Sequence, residues 1–339
     1  MRLVAILAAA IGVALTVALI GYFGAGAVVR SVLAVGAVGF ASLCLIHLVF
    51  VVIMGIAWKV LLPGSRTWVL VWGRLVRDSG SEFLPLSQVG GYVLGARALT
   101  LAGISGTLAA ASTIVDVTLE FVTQLAYTAL GLVWLIELQP DSAAALPTMI
   151  GLGLAAIAAV GFFAVQRGGL GYFDRLAGIL GRGWADRTAA GAAALHDALA
   201  AIYRLRAGLS VSFTLHLACW IASALEAWLI LYFAGETLPF GTVLIIETLL
   251  HAARTAAFIV PNAVGVQEGA YILLGTAFGL SPEMALALSL LKRARDLVIG
   301  VPTIVAWQVI ESGRLWQRRA GTPTPIVVPS ASTDSPRRD

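Results

Sequence analysis

Asp116, Glu120 and Gln124 stand at i, i+4 and i+8 within an apolar stretch. On a helix they stack on one face. Glu247, His251 and Arg254 follow at i, i+4 and i+7, and Lys292, Arg293, Arg295 and Asp296 crowd one turn of another apolar segment. Arg97, Glu226, Gln267 and Glu268 lie in further apolar surroundings. An ionisable residue at the centre of a membrane span costs roughly 2.5–3.5 kcal/mol on insertion scales, so a set of this size calls for a reason. The acids Asp116, Glu120, Glu226, Glu247, Glu268 and Asp296 nearly balance the bases Arg97, Arg254, Lys292, Arg293 and Arg295. Lys292 and Asp296 can pair within one helix, and the others must pair across helices. Desolvation offsets most of the attraction in a buried pair, so the set points to a wet interior that binds a polar group. The candidate binding residues are Arg97, Asp116, Glu120, Gln124, Glu247, His251, Arg254, Gln267, Glu268, Lys292, Arg295 and Asp296. Arg254 and Arg295 suit an anionic group, because guanidinium binds anions through two parallel hydrogen bonds. The plainer alternative is a set of ion pairs that fixes helix register and touches no substrate.

Other chemistry finds little support. Glu247 and His251 are half of a metal site without a second matched pair, so no metal and no cofactor is expected. Gly90-Gly91 has no preceding strand and no Lys in register, which excludes a phosphate loop. No Gly-x-Ser-x-Gly nucleophile motif occurs, and no catalytic residue is assigned. His47, His216, Cys44 and Cys219 lie singly in apolar segments and read as packed residues.

The elements that must position these residues are membrane helices. Hydrophobic residues make up 59% of the 339 and charged residues 12%, too few charges to cover a water-soluble surface. The net charge of +4 comes from bases at the ends of apolar runs, which fits membrane topology and not nucleic acid. Trp58, Trp68, Trp72, Trp134, Trp307 and Trp316 near the ends of these runs make an ordinary aromatic belt. Six full spans are expected, at about 3–23, 35–59, 107–136, 147–166, 211–234 and 282–311, each with room for roughly 20 apolar residues. The first has no convincing cleavage site and reads as a retained helix. Two further apolar stretches, about 81–104 and 240–280, are broken by Pro85, Gly90, Gly91 and Gly95, and by Pro261, Gly265 and Gly269. Irregular backbone at membrane depth must be covered by protein or line a wet cavity, so both are expected to be re-entrant hairpins.

Bases cluster in 59–77 (Lys59, Arg66, Arg74, Arg77), in 167–210 (Arg167, Arg175, Arg182, Arg187, Arg204, Arg206) and after Arg314. By the positive-inside rule all three are cytoplasmic, as are both termini; Arg30 is the one exception. Leu195, Leu199 and Ile202 make the 167–210 loop either an interfacial helix or a helix packed on other loops. Residues 1–315 form a single membrane domain, and the Pro-, Ser- and Thr-rich tail over 316–339 is expected to be disordered. The fold class is therefore all-α: a polytopic membrane protein with about six transmembrane helices and two re-entrant hairpins.

The hairpins resemble each other. Phe83-Leu84-Pro85, Gly91-Tyr92-Val93-Leu94-Gly95 and Gly103-Ile104-Ser105 parallel Ile259-Val260-Pro261, Gly269-Ala270-Tyr271-Ile272-Leu273-Leu274-Gly275 and Gly279-Leu280-Ser281. Eleven residues after each serine stand Asp116 and Lys292, and fifteen after stand Glu120 and Asp296. Three spans separate the hairpins, so the second is inverted relative to the first. Inverted repeats with broken helices meeting at the midplane are a transporter architecture.

The blocks Arg77-Asp78-Ser79-Gly80-Ser81-Glu82-Phe83-Leu84-Pro85-Leu86-Ser87-Gln88-Val89-Gly90-Gly91 and Ala110-Ala111-Ser112-Thr113-Ile114-Val115-Asp116-Val117-Thr118-Leu119-Glu120 resemble a known family. So do Leu250-His251-Ala252-Ala253-Arg254, Val264-Gly265-Val266-Gln267-Glu268-Gly269 and Leu290-Leu291-Lys292-Arg293-Ala294-Arg295-Asp296. The family is the membrane region of lysylphosphatidylglycerol synthases and flippases. Within it the chain is most similar to hopanoid-biosynthesis-associated proteins of the HpnL type. The resemblance covers roughly 1–315 and implies movement of lipid between leaflets of the bacterial inner membrane. It implies as partners a membrane lipid (hopanoid or phospholipid) and lipid-biosynthesis enzymes. Larger relatives carry a soluble aminoacyl-transferase domain. Nothing resembling it follows residue 321, so an enzymatic activity is not expected. With no nucleotide motif, any driving force is an ion gradient or downhill flow, and protonation of a buried carboxylate such as Glu268 or Asp116 could supply the coupling. The rival readings are a membrane enzyme with Glu247 and His251 as acid and base, and a scaffold for lipid-biosynthetic enzymes.

Overall fold

The computed structural model describes residues 14–83, 87–142, 145–168, 182–257 and 260–320. Among the described residues there is no strand. The helices are α1 (Ala14–Phe23), α2 (Ala25–Lys59), α3 (Thr67–Phe83), α4 (Ser87–Leu101), α5 (Gly106–Leu138), α6 (Ala145–Gly168), α7 (Arg182–Tyr203), α8 (Arg206–Phe233), α9 (Phe240–Ala256), α10 (Val266–Ala277) and α11 (Pro282–Ala320). A 3₁₀ turn at Pro261–Ala263 lies between α9 and α10. Pro85, Arg175 and the tail beyond Ala320 lie outside the described residues, as does the start of the expected first span.

Among the described residues four helices, α2, α5, α6 and α8, are long and apolar enough to cross a membrane. Two of the six expected spans are not among them. Only Ala14–Phe23 of the first span is described. The last, α11, is 39 residues long but carries Lys292, Arg293, Arg295 and Asp296 in its N-terminal half. α2 starts ten residues earlier than expected and is interrupted at Gly36, whose φ of 69° and ψ of 172° break the helix. Leu154, Ile157 and Val160 of α6 stand exposed, as lipid-facing residues do.

The first hairpin is α3 and α4. It begins at Thr67, well before the expected boundary at 81. Its arms run antiparallel at very close range, because glycine faces the partner helix repeatedly. A Cβ on Gly91 would lie 2.0 Å from Ser81 Oγ and 2.4 Å from the Arg77 carbonyl oxygen. Small residues permit this approach of helix backbones within membranes. The earlier start puts Arg74 and Arg77 on α3 rather than in a loop, where they are 5% and 2% exposed.

The second hairpin is α9 and α10, and it matches the expected 240–280. The two hairpins end alike. Gly103 and Gly279 both take left-handed φ values, 96° and 92°. Gly103 N–H donates to Thr100 O and Ile104 N–H to Leu99 O; Gly279 N–H donates to Thr276 O and Leu280 N–H to Gly275 O. This is the Schellman pattern that ends a helix on glycine. Ser105 and Ser281 then cap α5 and α11, their hydroxyls accepting from Leu108 N–H and Met284 N–H. One constant spacing relates Pro85 to Pro261, Gly103 to Gly279 and Ser105 to Ser281, and also Asp116 to Lys292.

α5 shows that the hairpins enter from opposite ends. It has 33 residues, a length of about 50 Å at 1.5 Å per residue. Its N-terminal Ala109, Ala111 and Val115 pack with Leu70 and Leu99 at the base of the first hairpin. Its C-terminal Leu132 and Leu135 pack with Ile245 and Leu249 of the second, against Phe278. Leu199 and Ile202 of α7 join the former cluster, so α7 is a helix packed on protein at that end.

Candidate functional site

Where the hairpin tips approach each other, α3, α5, α8, α9, α10 and α11 turn polar side chains inward. The first cluster joins α3 to α5. Arg77 Nη1 donates to Asp116 Oδ2 at 2.5 Å, and Arg77 also pairs with Glu120. Arg74 reaches Glu120 Oε1 at 2.8 Å and Asp78 Oδ2 at 2.7 Å. His216 of α8 closes the group, its Nε2 lying 3.1 Å from Asp116 Oδ1. Asp116 and His216 are wholly buried. Two guanidinium groups face three carboxylates, and these charge-assisted bonds let charge persist in the interior, although Arg77 Nε has no partner among the described residues. The Arg77 guanidinium also lies over the Tyr92 ring, 4.7 Å from its centroid.

The second cluster belongs to the second repeat. Glu247 accepts from Lys292 Nζ and from the Tyr271 hydroxyl, each at 2.6 Å. His251 Nε2 stands 3.9 Å from the same carboxylate. Arg295 pairs with Glu226 of α8 and, at 2.7 Å, with Asp296. His47 of α2 adds its Nδ1 at 3.1 Å from Glu226 Oε1. His47 and His216, read from sequence as packed residues, therefore both sit against carboxylates.

A third group shapes the tip of the second hairpin. Asn262 and Ala263 adopt φ values of 50° and 46°, a region unfavourable to residues with a Cβ. Glu268 holds the turn from inside: it accepts Gly265 N–H at 2.7 Å and Ser289 Oγ–H at 3.2 Å, and pairs with Arg293. Arg293 Nη2 in turn faces the carbonyls of Asn262 and Ala263.

Two adjoining cavities open between these groups, of about 320 and 230 Å³. Both are bordered by Glu82, Gln88, Glu120, Trp220, His251 and Arg254. The larger is lined by charged Glu82, Glu120 and Arg254 together with apolar Val117, Phe121, Phe162 and Val260. Gln124 lines it too and donates to Thr255 Oγ1 at 2.7 Å across α5 and α9. The smaller is lined by Arg74, Arg77, Lys292, Arg295 and Asp296, with Gln267 and Tyr271.

Glu120, Gln124, His251, Arg254, Gln267, Lys292, Arg295 and Asp296 thus border the chamber, out of the set read from sequence. Asp116, Glu247 and Glu268 lie behind its wall, fully buried; Asp116 and Glu247 hold Arg77 and Lys292, which face it, and Glu268 holds Arg293 at the turn of the second hairpin. Arg97 is elsewhere: it is on α4, pairs with Glu311 at 2.7 Å and is 39% exposed. The sequence reading placed Arg97 in the interior because it took the whole first hairpin as polar core; α4 turns that position toward the C-terminal half of α11. Lys292 and Asp296 are spaced so that they can pair within α11, but Lys292 reaches Glu247 and Asp296 meets Arg295. Arg74, Arg77, Asp78 and Glu82 were missed. Their signal was present, since Arg74, Asp78, Ser81 and Glu82 follow helical spacing on one face of α3.

A family model described as Lysylphosphatidylglycerol synthase TM region matches residues 6–303. No curated protein and no solved structure matches the chain.

Proposed function

The chain belongs to the lysylphosphatidylglycerol synthase TM-region family, a membrane family linked to lipid handling, and on that premise we propose that it moves a lipid between the leaflets of a bacterial inner membrane. The head group crosses through the chamber between the hairpin tips, while the acyl chains or ring system stay in the bilayer. The observation that carries this reading is the mixed lining of the larger cavity, which sets charged Glu82, Glu120 and Arg254 among apolar Val117, Phe121, Phe162 and Val260. A small soluble solute has no use for the apolar lining, and a purely apolar ligand would leave Glu82 and Arg254 unserved. An amphiphile fits both. The cargo in this reading is a phospholipid or a hopanoid lipid. The positive-inside rule puts the base of the first hairpin and both termini in the cytoplasm. Occupation of both Glu247 oxygens by Lys292 and Tyr271 weighs against acid–base chemistry there.

The test is leaflet-resolved movement of acyl-labelled lipids in vesicles containing the full chain. Wild type is expected to accelerate exchange of at least one lipid, and Arg254→Ala to slow it about tenfold, the loss of one charge-assisted contact. Exchange no faster than in empty vesicles, for every lipid tried, would turn the reading toward a scaffold or an enzyme.

A further inference from the structure

We propose, building on the reading that the chamber admits a lipid head group, that this head group is zwitterionic, a phosphate bearing a primary ammonium on a short linker, of the phosphoethanolamine class. The proposal rests on Glu82 and Arg254, which face each other across the hairpin tips. Their nearest atoms, Oε1 and Nη2, are 4.0 Å apart, beyond hydrogen-bond length. Among the described residues the side-chain acceptor for Arg254 is Asn262 Oδ1, at 3.3 Å. Glu82 Oε2 is buried and has no hydrogen-bond partner among the described residues. The other cations lining the chamber, Arg74, Arg77, Lys292 and Arg295, each have a carboxylate oxygen within 2.8 Å. Glu82 and Arg254 therefore stand side by side in the wall with hydrogen-bonding capacity unspent.

That arrangement discriminates between head groups. A phosphate alone on Arg254 lies against the Glu82 carboxylate, and like charges at such range in a water-poor site repel. An ammonium alone on Glu82 meets Arg254 in the same way. A ligand with both charges next to each other lets its ammonium donate to Glu82 Oε2 and its phosphate accept from Arg254, so the four charges alternate. Trp220 borders both cavities, and an indole face favours an ammonium. The linker must be short, because the two protein groups are themselves adjacent; an amine on a long arm overshoots Glu82.

The experiment has two readouts on the full chain, with Glu82→Gln and Glu82→Asp beside wild type. The first is competitive retention of phosphatidylethanolamine against phosphatidylglycerol by the purified protein, read by native mass spectrometry. The second is exchange of the same acyl-labelled lipids between leaflets of reconstituted vesicles. Wild type is expected to retain and move phosphatidylethanolamine about tenfold better than phosphatidylglycerol. Glu82→Gln loses that preference by gaining phosphatidylglycerol, and Glu82→Asp keeps it. Equal handling of the two lipids by wild type, or a preference untouched in Glu82→Gln, overturns the head-group proposal and leaves translocation standing. Selective retention that is lost in Glu82→Gln, without movement of any lipid, upholds the head-group proposal and overturns translocation. Retention of neither lipid overturns the proposal.

Discussion

Arg77 of the first hairpin and Asp116 of α5 meet at 2.5 Å with both side chains buried, so the hairpin is tied to a membrane-capable helix by a buried ion pair. Removing one partner leaves the other buried and uncompensated, which costs about 3–5 kcal/mol. Arg77→Ala and Asp116→Ala are each expected to lower the stability of the solubilised protein by about that much. The double substitution is expected to cost less than the two added together, with a coupling of about 1–3 kcal/mol. Thermal unfolding in detergent measures all three, and strict additivity would show that the pair does not act as a unit.

Arg97→Ala separates two views of where the first hairpin's charges act. The pair with Glu311 is partly exposed, and such pairs contribute about 0–1 kcal/mol. Lipid exchange by Arg97→Ala is expected to stay within about twofold of wild type, in contrast to the loss in Arg254→Ala. A loss as large as that of Arg254→Ala would place Arg97 on the lipid's route.

Gly91 sets the spacing of α3 and α4. Gly91→Ala forces a methyl group toward Ser81 Oγ and the Arg77 carbonyl, and overpacking of this kind costs about 1–3 kcal/mol or more. Ser81→Ala is expected not to rescue it, because the backbone contact remains. Gly153→Ala is the control, since nothing lies within 4 Å of a Cβ there. Melting temperatures of the three variants decide the matter.

Glu268 works on the turn at Asn262 and Ala263 from behind the chamber wall. Glu268→Gln weakens the ion pair with Arg293 and the acceptor for Gly265 N–H. Amide exchange over the turn and the first turn of α10 is expected to accelerate at least tenfold, as a local opening made about 1.4 kcal/mol easier requires. Unchanged protection there, read by mass spectrometry, would count against Glu268 as the clamp.

The opposed hairpins make a topological prediction. Arg66 lies before α3 and Thr237 before α9, both exposed. In a background with Cys44 and Cys219 replaced, Arg66→Cys and Thr237→Cys are expected to react with a membrane-impermeant maleimide from opposite sides. Labelling of both from one side would refute the inverted arrangement.

Much of this molecule was legible in one dimension. Apolar runs bounded the membrane helices, because only a closed hydrogen-bonded helix or barrel satisfies the backbone in hydrocarbon. Proline and glycine marked both hairpins, and the matched Gly-x-Ser endings revealed the repeat that the Schellman turns and serine caps display. Charges at helical spacing named most of the chamber: Glu120, His251, Arg254, Lys292 and Asp296 all border it.

Partners and depth were decided only in three dimensions. Arg74 and Arg77 have the composition of a cytoplasmic loop, yet α3 carries them inward, where Asp116 and Glu120 neutralise them. Glu82 and Arg254 come together only at the meeting of the two tips. Lys292 passes over its helical neighbour Asp296 for Glu247 on another helix. Hydropathy sums residues along the chain, but the cost of a buried charge depends on which opposite charge the packing brings within reach, and that is a property of the assembled helices.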